Sequence, residues 1–94
     1  MLESEIAILR DAIPLNRHGI VIFSQSDWRL PIKIGDALRI ISLSGSEFCE
    51  PVKGIEMIHH TDPVTRIPGP PGILIKQCPL PLPTLTGAKV YLIK

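Results

Sequence analysis

The chain has 94 residues, 45% of them hydrophobic, and its ten Lys or Arg against nine Asp or Glu leave a net charge of +1. This length fits one domain with a single core that buries roughly 60–65% of the unfolded surface. The near-neutral charge argues against a strongly basic nucleic-acid binder, and DNA is not expected as a partner. No run approaches the roughly 20 apolar residues of a membrane-spanning helix, so no membrane role is expected.

The N-terminal segment has a residue pattern that differs from the rest of the chain. Apolar residues recur there at three- and four-residue spacing, which predicts a short helix with one apolar stripe. Pro14 ends the segment. The alternative is a first β-strand whose residue pattern only looks helical. In either case the apolar side of the segment must pack on the rest of the domain, a predicted β-barrel, or on a partner. We therefore treat residues 1–14 as an extension of a barrel formed by 15–94. The stripe consists of Leu2, Ile6, Leu9 and Ile13.

From Gly19 onward the pattern is that of β-strands. Runs of branched residues alternate with turn signals, and Gly35-Asp36 is a tight-turn dipeptide between two such runs. Five or six short strands separated in this way predict an all-β protein, a small closed antiparallel β-barrel. The predicted strands are 20–23, 37–43, 50–58, 73–76 and 89–93, with 28–34 leading into the Gly35-Asp36 turn.

Apolar positions of these strands define the predicted core. They should be mostly buried, because each faces the barrel interior in the proposed pattern. The predicted core residues are Ile22, Ile34, Leu38, Ile40, Ile55, Met57, Ile73, Ile75, Val90 and Leu92.

Ten prolines concentrate in the connections. The alternation Pro79-Leu80-Pro81-Leu82-Pro83 predicts an extended edge segment or loop, because proline lacks the N–H that a sheet ladder needs. The Pro68-Gly69-Pro70-Pro71 run fits either a proline-rich recognition motif or a rigid turn, and its glycine favours the turn.

Five motifs in order resemble the second, β-barrel domain of translational GTPases such as elongation factor Tu. This resemblance spans about 17–93, without the Gly-x-x-x-x-Gly-Lys-Ser/Thr loop of the nucleotide-binding domain. It implies a translation-factor domain II barrel that binds RNA or a translation component, in the cytoplasm and without catalysis. The motifs are Arg17-His18-Gly19-Ile20-Val21, Ile32 to Ile40, Val52-Lys53-Gly54-Ile55-Glu56-Met57, Gly72-Ile73-Leu74-Ile75-Lys76 and Leu85 to Val90.

The candidate binding residues are basic or titratable groups, which could form a local basic patch although the net charge of the chain is close to zero. Glu56 joins them because it lies in a strand that matches the family. Trp28 lies between polar residues, where it either anchors a partner or packs on the barrel end. The expected partner is RNA or the ribosome; the alternative is a protein–protein module or a homodimer. The basic candidates are Arg17, His18, Arg39, Lys53, His59, His60 and Arg66.

No set of residues indicates catalysis, a cofactor or a metal. His59, His60 and Asp62 are the densest group of possible ligands, but neighbours in a strand point to opposite faces. Cys49 and Cys78 lack Cys-x-x-Cys spacing and follow no signal peptide, so we expect two reduced, partly buried cytoplasmic thiols. The sequence thus predicts a binding protein and no enzyme.

Overall fold

The described part of the chain forms a closed barrel of six antiparallel strands. A computed structural model describes residues 3–15, 17–29, 31–56 and 71–93. The predicted fold class is confirmed. Neighbouring strands run in the order β1-β2-β5-β4-β3-β6, and β6 pairs with β1 to close the barrel. The strands are β1 (Glu3–Pro14), β2 (Ile20–Ser24), β3 (Ala37–Ile41), β4 (Glu47–Glu56), β5 (Gly72–Ile75) and β6 (Lys89–Ile93).

The N-terminal segment is a barrel strand, so the helix expected there is wrong and the strand alternative is confirmed. The first half of β1 pairs with β6 and its second half with β2. Two register shifts, between Glu5 and Ala7 and between Leu9 and Asp11, break the two-residue alternation. Ile6 and Leu9 therefore both face the core at a spacing of three, which imitates a helical stripe. The segment is thus part of the barrel wall and no extension of it.

One large hydrophobic core fills the barrel, and a second, smaller buried cluster consists of Val21, Phe23 and Leu74. Most of the predicted interior positions are confirmed as fully buried, including Ile22, Leu38 and Ile73. Two are wrong, because Ile34 is 69% exposed in the turn before β3 and Ile55 is 41% exposed near the end of β4. Met57 lies outside the described residues. The other confirmed core predictions are Ile40, Ile75, Val90 and Leu92.

The Gly35-Asp36 turn forms as predicted. The Asp36 Oδ2 atom accepts a 2.9 Å hydrogen bond from the Lys33 amide, and Gly35 has a φ of +96°. Two backbone bonds of 2.8 Å join the turn to Val52 on β4. The preceding run to Ile34 is not a strand among its described residues, because it crosses from β2 to β3 as a loop.

The proline-rich stretch after β5 is a loop, as predicted. It ends in one 3-10 turn, Leu82–Leu85, which places Leu85 fully inside the core. Within the described residues, no helix is both long and apolar enough to cross a membrane.

Candidate functional site

Four basic side chains gather at one edge of the barrel, and we call Arg17, His18, Lys53 and Lys76 the basic edge. Arg17 and His18 lie in the β1–β2 turn, which a 2.8 Å bond from the Leu15 amide to the Gly19 carbonyl closes. Lys53 reaches this turn from β4, where its Nζ donates to the His18 carbonyl oxygen at 2.6 Å.

Lys76 joins the basic edge through the sheet register. Ile20 pairs with Ile75, so the residues just outside this pair, Gly19 and Lys76, lie side by side. The Lys76 carbonyl oxygen is 3.2 Å from the position that a Cβ atom on Gly19 would take. All four side chains of the basic edge are exposed. The segments 15–20, 51–54 and 74–77 that carry them contain no acidic residue. The Glu56 carboxylate approaches Gly54, so basic side chains predominate at this edge but one carboxylate borders it.

Arg39 is also basic, but it belongs to a different surface. It lies on β3 and donates to Glu3 on β1 at 2.9 Å and to Glu47 on β4 at 2.6 Å. The hydrogen bond to Glu47 raises the pKa of Arg39 above its ordinary value. Two carboxylates thus surround one guanidinium, so this predicted contact residue links strands across the barrel surface and has no excess positive charge to offer.

Trp28 is half-buried against the barrel core. Its Nε1 donates to the Pro71 carbonyl oxygen at 2.9 Å, which ties the loop after β2 to the start of β5. The ring lines a cavity of about 300 Å³ together with Ile55 and Ile73. Trp28 therefore packs at the barrel end, where it also borders a cavity, and partner anchoring stays a prediction. The remaining lining residues are Asp27, Ile32 and Pro71.

The other predicted site residues fall in two groups. Glu56 is half-buried at the end of β4, opposite Gly72, and its Oε1 atom is 3.9 Å from the position that a Cβ atom on Gly54 would take, next to Lys53 in the chain. His59, His60 and Arg66 lie outside the described residues, as does Asp62. In the described ranges, no three His, Cys, Asp or Glu side chains group as metal ligands.

The two thiols differ in environment. Cys49 is exposed on β4, so the expectation of a partly buried thiol is wrong there, while Cys78 is half-buried and both are free. Cys78 donates to the Leu80 carbonyl oxygen at 3.2 Å. Burial raises the pKa of the Cys78 thiol, and the charge of Glu50 raises it further.

This difference predicts unequal reactivity. At pH 8 we expect iodoacetamide to modify Cys49 several-fold faster than Cys78, because alkylation needs an accessible thiolate. Mass spectrometry of the Cys49→Ser and Cys78→Ser variants measures each rate separately. Faster modification of Cys78 would contradict its placement.

Sequence reasoning missed Lys76 and the cavity. Lys76 ends a predicted strand, and only the β2–β5 register places it beside the β1–β2 turn. Ile55 and Ile73 pair across β4 and β5, yet Ile55 is exposed and Ile73 is buried. The sequence does not predict this difference, because both are isoleucines in predicted strands.

Comparison of the chain with models of protein families, with curated proteins and with solved structures finds no match. The class that the fold defines is a six-stranded closed antiparallel β-barrel. The resemblance to the translational GTPase barrel domain stays a prediction that rests on the sequence motifs.

Proposed function

We propose that this protein is a non-catalytic binding module that holds single-stranded RNA along the basic edge. The observation that carries the proposal is the 2.6 Å hydrogen bond from Lys53 to the His18 carbonyl. It fixes a β4 cation against the β1–β2 turn, and the β2–β5 register places Lys76 beside the same turn, so basic side chains from three separate parts of the chain meet there. Lysine and arginine side chains grouped in this way neutralise neighbouring phosphates of a nucleic-acid backbone.

The chemistry of the edge favours phosphate contacts over base reading. The Lys53 ammonium has three N–H donors and donates one hydrogen bond to the His18 carbonyl, so two donors remain for a phosphate. No Phe, Tyr or Trp lies in the segments 15–20, 51–54 and 74–77, so the His18 imidazole is the one ring in these segments on which a base could stack. The proposed binding is therefore strongest for backbone charge and weak in sequence preference.

The translation-factor resemblance supports RNA or a ribosomal component as the natural partner. The edge begins at Arg17, where the resemblance also begins, and includes Lys53 of the motif Val52-Lys53-Gly54-Ile55-Glu56-Met57. Fold analogy alone does not carry a function, so the assignment depends on the basic edge.

A protein partner is the second candidate. The near-neutral net charge and two exposed apolar side chains favour it, because Leu43 is 80% and Ile34 69% exposed. Such a partner would bind with little dependence on salt.

Salt dependence tests the RNA proposal. We expect a fluorescein-labelled uridine 12-mer to bind with an affinity that falls steeply as salt rises, with a log–log slope of roughly −0.7 per phosphate contact. Arg17→Ala, Lys53→Ala and Lys76→Ala should each weaken binding several-fold and reduce the slope by about 0.7. Fluorescence anisotropy at a series of salt concentrations measures both quantities.

The control is Lys89→Ala, which removes an exposed cation on β6, where Lys89 pairs with Ile8 and Ile41. It should leave affinity and slope unchanged. RNA affinity that does not change with salt concentration, or no binding at micromolar protein, would contradict the RNA proposal and favour a protein partner.

A further inference from the structure

The cavity beside Trp28 has a lining that selects one kind of ligand. It measures about 300 Å³, at the lower end of the range for small-molecule sites, and lies where β4 ends and β5 begins. Its walls are three isoleucines, a proline and an indole ring. Asp27 is the one charged residue among the described residues that line it.

The described side chains that line the cavity can accept hydrogen bonds but have none left to donate. Among the described residues that line the cavity, the indole N–H of Trp28 is the only side-chain donor, and it is already bonded to the Pro71 carbonyl. The same bond holds the ring in place as part of the wall. Asp27 is exposed, and no ion pair or hydrogen bond joins its carboxylate to the described residues. The described lining residues therefore offer an acceptor and an aromatic ring, and no free side-chain donor.

We propose that this cavity binds a small organic cation, an ammonium group carried on an apolar body. The apolar body fills the isoleucine-lined space, where its burial drives binding. The ammonium lies between the Asp27 carboxylate and the indole ring, which attract it by charge and by cation–π interaction. An anion of the same shape meets a carboxylate and no donor. This site is distinct from the basic edge, whose charge has the opposite sign.

The chain provides its own probe, because Trp28 is its only tryptophan. We expect n-pentylammonium to change the Trp28 fluorescence in a saturable way in the millimolar range, as suits so small a ligand. The neutral isostere 1-pentanol should bind about fivefold more weakly, since it lacks the charge interactions. Pentanoate should produce no saturable change.

Asp27→Asn tests the role of the carboxylate with little change in shape. It should remove most of the preference for n-pentylammonium over 1-pentanol, because only the cation–π attraction of the indole ring remains, and it should leave the affinity for 1-pentanol unchanged. The matched control is Asp11→Asn, which removes an exposed carboxylate on β1 that does not line the cavity. It should preserve the preference for the cation.

The proposal would be overturned by no saturable binding of n-pentylammonium, by equal affinity for the cation and the alcohol, or by an Asp27→Asn variant that keeps the full preference. An added arm uses the peptide acetyl-Gly-Lys-Gly-amide, whose lysine has the same chemistry. Much tighter binding of this peptide would assign the cavity to a partner's lysine and overturn the assignment to a free small molecule. Failure of RNA binding at the basic edge leaves all these outcomes unchanged.

Discussion

Deletion of residues 1–13 is expected to unfold the protein. This segment contains nearly all of β1, which pairs with β2 on one side and β6 on the other. It also supplies Ile6 and Leu9, both fully buried, to the core. Loss of two such side chains costs about 4–10 kcal/mol, which is comparable with the whole stability of a small domain.

Circular dichroism and thermal unfolding of the truncated chain measure this effect. Removal of Met1 and Leu2 alone is the control and leaves every described strand pair of β1 in place. A cooperatively folded monomer after deletion of 1–13 would contradict the barrel wall described here. Because Ile6 and Leu9 pack in the barrel's own core, these two side chains need no partner to cover them.

Gly19→Ala is expected to be the most damaging single substitution in the β1–β2 turn. Gly19 has a φ of +132°, and an added Cβ atom would meet the Ile75 carbonyl oxygen of the neighbouring strand. Because the clash is with backbone, β2 and β5 would have to separate locally. We expect a loss of roughly 3 kcal/mol or more in the free energy of unfolding.

Gly45→Ala is the matched control for this substitution. Gly45 also has a positive φ, +92°, but an added Cβ atom would meet nothing within 4 Å. Its cost should be the backbone strain alone, about 1–2 kcal/mol. Chemical denaturation of both variants measures the difference, and equal losses would show that the close approach of Gly19 to Ile75 does not matter.

The sequence predicted most of the fold because its strands are short runs of branched residues between clear turn signals. Asp36 illustrates this, since its side chain closes the predicted turn by bonding the Lys33 amide. The N-terminal strand was ambiguous because bulges in β1 place Ile6 and Leu9 on the same side at a spacing of three. Local periodicity does not reveal a bulge that pairing with two different neighbours imposes.

The candidate site was only partly predictable. Arg17, His18 and Lys53 were recognised as basic groups, but their grouping depends on which strands are neighbours. Arg39 looked equivalent in the sequence, yet barrel closure places Glu3 from the far end of the chain against it. Charge balance at a surface is a property of tertiary structure, so a list of cations does not separate free from paired ones.

The most direct test of the proposed function is to locate RNA on the protein surface. Amide chemical-shift mapping of the ¹⁵N-labelled protein with the uridine 12-mer reports contacts residue by residue. We predict that the largest shifts fall on Arg17, His18, Lys53 and Lys76 and decline as salt is added. Shifts centred on Arg39 and its two glutamates, or no shifts at saturating RNA, would contradict the basic edge as the RNA-binding surface.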